Sequence, residues 1–256
     1  LILMNWWGKL IGTGVGMIGG PIGLIAGAAI GHLYDEDDPT PHDERKARIL
    51  YLAYFFSCAA KVAKADGVIS AREIAITESL MQRMGLDEKT TEFAKNVFRK
   101  AKVSRRSVDD DFKEAGRLIG YDSTVGQSFL GGLFEIVRSN EGKFNELQVR
   151  FLLRGEERLK LQSGTVRSWV RGGYAPPQHD PSTDKLSLDE AYAALGLPGD
   201  CTESELKKTY RAKAADFHPD KLSSKNLPNE FIEFANDQLA RVNQAYEVIR
   251  VSRGIK

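Results

Sequence analysis

The most informative segment of the chain is Tyr210-Arg-Ala-Lys-Ala-Ala-Asp-Phe-His-Pro-Asp-Lys221. An apolar stripe at helical spacing runs into it and consists of Leu206, Tyr210, Ala214 and Phe217. Pro219 ends this helix, because proline has no backbone N–H and disfavours helical geometry at the preceding residue. The sequence therefore predicts an amphipathic helix that stops at a rigid His218-Pro219-Asp220 turn.

The start of the same helix is marked by Thr202, which is followed three residues later by Glu205 in a capping-box arrangement. The basic side chains lie mostly off the apolar stripe and are Lys207, Lys208, Arg211 and Lys213. Between Lys185 and Lys256 there are eleven basic and eleven acidic residues, so the positive charge is local to this helix. This balance argues against a nucleic-acid module and favours docking on one acidic protein surface.

Two further helices complete the C-terminal region. A second long amphipathic helix starts around Asn229, so the two form an antiparallel hairpin. A short helix over Leu188–Leu195, ended by Gly196, lies before them and caps the open end of the pair.

These three segments resemble the J-domain of DnaJ-type co-chaperones, over roughly Leu186 to Ile255. The residues that carry the resemblance are Asp189–Leu197, Glu205–Arg211, the His218-Pro219-Asp220 turn and Asn243–Ile249. In that family the basic helix and the turn dock on a DnaK-type chaperone and stimulate its ATPase. The resemblance implies these contact residues here: Lys207, Lys208, Tyr210, Arg211, His218, Pro219 and Asp220. Three positions depart from the family pattern, namely Ala212, Lys213 and Asp216.

Composition excludes several other classes of function. A formal net charge of +1 argues against a global polyanion binder, so no nucleic-acid partner is expected. Cys58 and Cys201 are far apart and form no Cys-x-x-Cys pair, which excludes the zinc-binding segment of some DnaJ proteins and fits a reducing compartment. No nucleophile elbow, phosphate loop or metal-ligand cluster is found. We therefore expect a protein that is not an enzyme and has no cofactor or metal.

The N-terminal segment, residues 1–34, is the candidate membrane anchor. Leu10–Leu33 contains no charged side chain, and its 24 residues would span ~36 Å as a helix, enough for a bilayer core. One side of this helix carries small residues, as in transmembrane helices that approach each other closely, and comprises Gly12, Gly16, Gly20, Gly23, Gly27 and Gly31. A signal peptide and a soluble glycine-rich flap are rival interpretations. We favour a single span; its glycine face is compatible with a homodimer seam and equally with tolerated glycines.

Charges on either side of this span predict its orientation. Lys9 is the one basic side chain before it, whereas Arg45, Lys46 and Arg48 follow shortly after it. The positive-inside rule then places the C-terminal side in the cytoplasm. We expect a single-pass protein of the inner membrane, in contact with its lipid, with cytoplasmic C-terminal domains.

The middle region, residues 35–161, reads as all-helical and contains a weak internal repeat. Ala65–Glu73 parallels Asn140–Gln148, each with a turn, an N-cap and Glu or Gln three residues later. The region resembles TerB-like helical domains, some of which are associated with metal binding through acidic residues. We favour an ordinary capping box for Ser70 and Glu73 over a metal site.

The composition of residues 162–185 predicts a flexible linker, because they include the glycine- and proline-containing stretch Arg171-Gly-Gly-Tyr-Ala-Pro-Pro-Gln-His-Asp-Pro-Ser-Thr-Asp184. Residues 186–256 form the J-domain. The predicted fold is therefore all-α: a transmembrane helix, a TerB-like bundle and a three-helix J-domain. This order resembles membrane-anchored DnaJ-like co-chaperones of Gram-negative bacteria. It implies a co-chaperone that stimulates a DnaK-type ATPase, with an unknown client, regulator or second copy on the middle domain. The alternative is a membrane-tethered metal or stress-response adaptor that uses the TerB-like domain.

Overall fold

The computed structural model describes residues 26, 42–138, 144–173, 186–218 and 229–255. These residues form helices joined by turns, and no strand occurs among them. The predicted all-α fold is therefore confirmed in this part of the chain. The described residues fall into two compact units, one up to Leu161 and one from Gln162 onward.

The first unit is built around a long central helix, α1. Its elements are α1 (His42–Ala63), a 3-10 turn (Lys64–Asp66), α2 (Ala71–Arg83), α3 (Glu88–Ala101), α4 (Val108–Leu118), α5 (Ser123–Arg138) and α6 (Glu146–Arg158). Helix α1 packs against α3, α4, α5 and α6. It is buried on nearly every side from Ile49 to Ala60, because it is apolar all round rather than striped. Helices α3 to α6 pack buried apolar residues against it, whereas α2 packs against α5.

Aromatic rings fill the centre of this unit. The ring of Phe129 from α5 lies edge-on to Tyr51 and Phe55 of α1, with centroids 5.4 and 5.3 Å apart. Phe112 of α4 approaches the same ring at 6.3 Å. Gly155 lets α6 pack closely here, because a Cβ atom at this position would lie 2.7 Å from Leu130 and 2.9 Å from Phe112.

The internal repeat predicted from the sequence has a structural counterpart. The Ser70 hydroxyl and Glu73 form the expected capping box at the start of α2, and Asn145 caps α6. The equivalent residues Glu73 and Gln148 then meet: the Gln148 Nε2 donates to Glu73 Oε1 at 2.9 Å, and both side chains are buried. The capping interpretation of Ser70 and Glu73 is therefore confirmed, whereas Asn140 and Glu141 of the second loop lie outside the described residues.

The second unit contains the helices of the C-terminal region. Its elements are α7 (Thr165–Ser168), a π-helical turn (Trp169–Gly173), α8 (Leu188–Leu195), α9 (Glu203–Asp216) and α10 (Asn229–Ser252). Helix α8 packs against α10 and α9. The core between them includes Leu195, Leu206, Ala245 and Ile249, and Leu206 belongs to the apolar stripe predicted for α9.

The structure differs from the prediction at the start of the linker. Residues 162–185 were expected to be flexible, yet Thr165–Ser168 and Trp169–Gly173 are helical, and the π-helical turn packs against α8. The reason is a pair of large apolar side chains at helical spacing, since Val166 is fully buried and Trp169 nearly so. The remainder of the predicted linker, 174–185, lies outside the described residues.

The predicted membrane segment is also largely outside this set. Apart from Ala26, the stretch Leu10–Leu33 and its glycine face are not among the described residues. Within the ranges that are described, no helix combines the length and the apolar character needed to cross a bilayer.

Candidate functional site

The candidate docking surface begins at the N-terminus of α9, where the predicted capping box forms. The Thr202 backbone N–H and hydroxyl donate to Glu205 Oε2 at 2.7 and 2.8 Å, and the Glu205 backbone N–H donates to Thr202 Oγ1 at 3.2 Å. The bond from the Thr202 backbone, followed by that from its hydroxyl, lowers the pKa of Glu205. The helix therefore starts at a defined residue, and this start determines which face of the helix each later residue lies on.

Helix α9 is fixed to α10 through its apolar stripe. Leu206 is fully buried and Phe217 is nearly so. Between them, the ring of Tyr210 stacks on Tyr246 of α10 with centroids 4.2 Å apart. The Tyr210 hydroxyl also donates to Asn243 Oδ1 at 3.1 Å. Tyr210 is thus half-buried and links the two helices, and it is also a predicted contact residue.

The opposite side of α9 carries the predicted basic residues. Lys208 and Arg211 are exposed, and Lys207 is half-buried. Lys207 forms an ion pair with Glu203 one turn earlier, and this hydrogen bond raises the pKa of the Lys207 ammonium. Since residues three and four apart are neighbours on a helix surface, these three bases form one positive face.

His218 lies at the C-terminal end of this face. Helix α9 ends at Asp216, and the Phe217 backbone N–H still donates to the Lys213 carbonyl at 3.4 Å. Because Phe217 turns into the core, the next residue, His218, is carried out to the surface, where it is exposed. Pro219 and Asp220 lie outside the described residues. The structure therefore places five of the seven predicted contact residues on α9 or at its end.

Sequence reasoning missed the contacts that hold this unit closed. Arg253, just after α10, donates from Nε to the Tyr192 hydroxyl at 2.6 Å, from Nη1 to the Cys201 carbonyl at 2.5 Å and from Nη2 to the Gly199 carbonyl at 2.7 Å. The Tyr192 bond comes first among the effects that raise the pKa of Arg253. No local pattern could have predicted these bonds, because the partners are more than fifty residues apart and two of them are backbone carbonyls.

The acidic residues of the middle region are candidate metal ligands by resemblance, because some TerB-like domains are associated with metal binding. Among the residues that the structure describes, no group of three or more His, Cys, Asp or Glu side chains is arranged to hold a metal ion. Glu73, the most plausible ligand in the middle region, is instead bonded to Ser70 and Gln148.

A basic helix that ends at an exposed histidine, packed on a second long helix and capped by a short one, defines a J-domain, the module of DnaJ-type co-chaperones. A family model described as the DnaJ domain matches residues 190–253. Two further models match earlier parts of the chain: tellurite resistance protein TerB over residues 53–167, and the co-chaperone DjlA transmembrane domain over residues 4–49.

Comparison with curated proteins extends the similarity over the whole chain. Co-chaperone protein DjlA of Coxiella burnetii is 31% identical, and the alignment covers 98% of this chain and 100% of that protein. The proteins of the same name from Photobacterium profundum (29%; 98% and 100% covered) and Legionella pneumophila (26%; 99% and 97% covered) are also similar. The chain belongs to the DjlA family of membrane-anchored co-chaperones. The comparison with solved structures gave no significant match.

Proposed function

We propose that this chain binds a DnaK-type chaperone through the basic face of α9 and the His218-Pro219-Asp220 turn, and thereby stimulates the chaperone's ATP hydrolysis. The observation that supports this function is the continuity of a positive face, formed by the half-buried Lys207 and the exposed Lys208 and Arg211, with the exposed His218 at its end. J-domain proteins partner with chaperones of this type.

The electrostatics explain how such docking would begin. The face projects from a region whose total formal charge is zero, so its field is local and directed. A positive patch of this kind steers an acidic partner into the correct orientation and speeds association, and the effect weakens with salt. Lys207, Lys208 and Arg211 therefore promote the initial association with the chaperone. The His218-Pro219-Asp220 turn acts after docking.

The packing explains how the site would keep its geometry. The stack of Tyr210 on Tyr246 and the bond to Asn243 hold the middle of α9 against α10. Arg253 ties the segment before α9 to the end of α10. A site that is rigid before binding loses less conformational entropy on docking.

The direct test is single-turnover ATP hydrolysis by a DnaK-type chaperone in the presence of the full chain in lipid nanodiscs. We expect stimulation that is lost in His218→Gln and kept in His179→Gln, a matched control outside the J-domain. Stimulation that is absent, or equal in the two variants, would contradict the proposal.

A second measurement separates encounter from triggering. In Lys208→Glu/Arg211→Glu, we expect association with the chaperone to slow at least ten-fold at low salt, whereas His218→Gln should bind at nearly the normal rate. The control Lys113→Glu/Arg150→Glu removes the same charge from exposed positions of the first unit and should leave the rate unchanged. Equal effects of the two double variants would show that net charge alone is responsible.

The position at the membrane completes this proposal. Arg45, Lys46 and Arg48 after the anchor support a single span in the inner membrane with the later domains in the cytoplasm, where the chaperone is found. Protease access in inverted membrane vesicles, compared with intact spheroplasts, tests this orientation: cleavage of the J-domain in spheroplasts would contradict it.

The glycine face and the middle domain are proposed interaction sites. The pattern of Gly12, Gly16, Gly20, Gly23, Gly27 and Gly31 supports a homodimer through the transmembrane helix. Cross-linking in membranes should show a dimer that Gly16→Leu disrupts and Ile18→Leu does not. The TerB-like unit would then receive a client or regulator of the co-chaperone.

A further inference from the structure

The loop between α3 and α4 is an exposed basic segment in the first unit. We call Lys100–Arg106 the basic loop; it has four bases in seven residues and no acid. Lys100, Lys102 and Arg105 are exposed. Val103 lies among them and is 73% exposed. The chaperone-docking surface uses none of these residues.

The loop is held in place from both sides. Lys64, just after α1, donates from Nζ to the Lys102 carbonyl at 3.0 Å. At the other end, Arg106 donates from Nε to Asp111 Oδ1 at 2.6 Å. The loop therefore presents its bases from a fixed position at the C-terminal end of α1.

Three carboxylates follow the loop at the start of α4, and none of them is bonded to its exposed bases. Asp109 pairs with Arg154 and Arg158, and the Asp110 carboxylate accepts a hydrogen bond from the Ser107 hydroxyl. Asp111 is fully buried, and besides Arg106 it accepts hydrogen bonds from Ser57 and Lys61. Asp111 is thus already paired with two cations, Lys61 and Arg106, and has no negative charge left to offset the exposed basic side chains. The positive charge of Lys100, Lys102 and Arg105 faces solvent.

We propose that the basic loop docks on anionic lipid headgroups of the membrane in which the chain is anchored. Each base close to such a surface strengthens association by roughly five-fold. An exposed Val103 between the bases fits shallow insertion among headgroups. The membrane anchor holds the first unit next to the bilayer, so docking is intramolecular and its effective concentration is high. The loop contains no aromatic side chain that could stack on nucleobases, which disfavours single-stranded nucleic acid as the partner.

Docking fixes how the first unit would lie on the membrane. Helix α1 has 22 residues and is ~33 Å long, while electrostatic attraction fades within ~8 Å at physiological salt. The basic loop reaches the headgroups when α1 lies along the bilayer. Residues 34–41 between the proposed span and α1 have a contour length of up to ~27 Å, which permits this orientation.

The test places a single fluorescent reporter in the loop of the full chain in nanodiscs. Cys58 and Cys201 are buried, so Ser104→Cys supplies one accessible thiol for an environment-sensitive dye. With phosphatidylglycerol in the nanodisc we expect a blue-shifted emission and quenching by a lipid-borne quencher. Neither should occur in pure phosphatidylcholine, and 0.5 M salt, chosen as well above physiological ionic strength, should reverse both.

Two variants decide the result. Lys102→Glu/Arg105→Glu should reduce the equilibrium constant for docking by roughly 25-fold or more, whereas Lys113→Glu/Arg150→Glu, with the same change in net charge, should leave it unchanged. A dye that stays in water on anionic nanodiscs, or an equal loss in both variants, would overturn the proposal. So would docking that requires an added acidic protein. Because the readout involves no chaperone, the outcome is independent of the ATPase experiment.

Discussion

The carboxylate of Asp111 is a fully buried charge of the first unit that accepts three hydrogen bonds. Its Oδ2 accepts from Ser57 at 2.6 Å and from Lys61, and its Oδ1 accepts from Arg106 at 2.6 Å. A buried charge is tolerated when it is paired and hydrogen-bonded in this way. The same residue thus joins α1, α4 and the basic loop at one point.

The first prediction concerns this residue. Asp111→Asn leaves Lys61 and Arg106 without their anion in a region where the Lys61 side chain is only 9% exposed. Removing one partner of a buried pair costs about 3 kcal/mol or more, so we expect the free energy of unfolding of the first unit to fall by that amount. Urea titration followed by circular dichroism measures it.

The matched control is the preceding residue on the same helix. Asp110 is exposed; its carboxylate accepts from the Ser107 hydroxyl, and its backbone N–H donates to Ser107 Oγ. Asp110→Asn keeps a side-chain acceptor for the hydroxyl and leaves the backbone bond in place, so it should change the stability by less than about 0.5 kcal/mol. Equal effects at the two positions would show that the Asp111 cluster has no special role.

Asp111 also illustrates what sequence could not predict at this scale. Its partners Ser57 and Lys61 lie 54 and 50 residues away, and an acid in the first turn of a helix is ordinarily explained by the helix dipole. The thiol of Cys58 is affected too: burial, and then the charge of Asp111, raises its pKa, which keeps this cysteine unreactive. Long-range polar clusters depend on packing that no local pattern encodes.

Helix starts are the elements that sequence predicted best. The capping boxes of Ser70 with Glu73 and Thr202 with Glu205 each join residues three apart. Because the partners are so close in sequence, the local pattern is enough to predict the hydrogen bonds. A third box, Ser187 with Glu190, starts α8 and was not predicted, although the same signal is present. The sequence also predicted where α8, α9 and α10 lie along the chain.

The second prediction concerns the pH dependence of α8. The Ser187 backbone N–H and then its hydroxyl donate to Glu190 and lower its pKa below the ordinary value of 4.5. A carboxyl with a lowered folded pKa stabilises the protein above its unfolded pKa, and the contribution is lost as pH falls through the folded pKa. We therefore expect Glu190→Gln to lower the melting temperature of the J-domain at pH 7 but not near pH 2.

The control for this prediction is Asp189→Asn, which removes a neighbouring exposed carboxylate outside the capping box. Thermal melts followed by circular dichroism at several pH values compare the variants. A Glu190→Gln effect that persists unchanged at low pH would contradict the electrostatic origin and leave a loss of packing as its cause.

At the scale of the whole molecule, the order of the regions could be predicted because each has its own composition: an uncharged glycine-rich segment, an all-helical middle and a His-Pro-Asp region. The family models confirm this order. The boundary before the J-domain could not be placed from sequence. The glycines and prolines between Arg171 and Asp184 indicate a linker, and they outweighed the weak helical signal of the preceding Thr165–Ser168. Two apolar residues, Val166 and Trp169, were too weak a signal on their own.

The last prediction follows from that boundary. Because the π-helical turn Trp169–Gly173 packs against α8 and Trp169 is 5% exposed, this segment belongs to the folded J-domain unit. A fragment that starts at Gln162 should melt at a higher temperature than one that starts at Lys185. Trp169→Ala should remove about 3 kcal/mol or more of stability, whereas Arg167→Ala, exposed on the same helical segment, should not. Calorimetry of the four proteins checks this. Equal melting of the two fragments would mean that the segment only rests on a J-domain that is already complete, and the predicted linker would then begin at residue 162 after all.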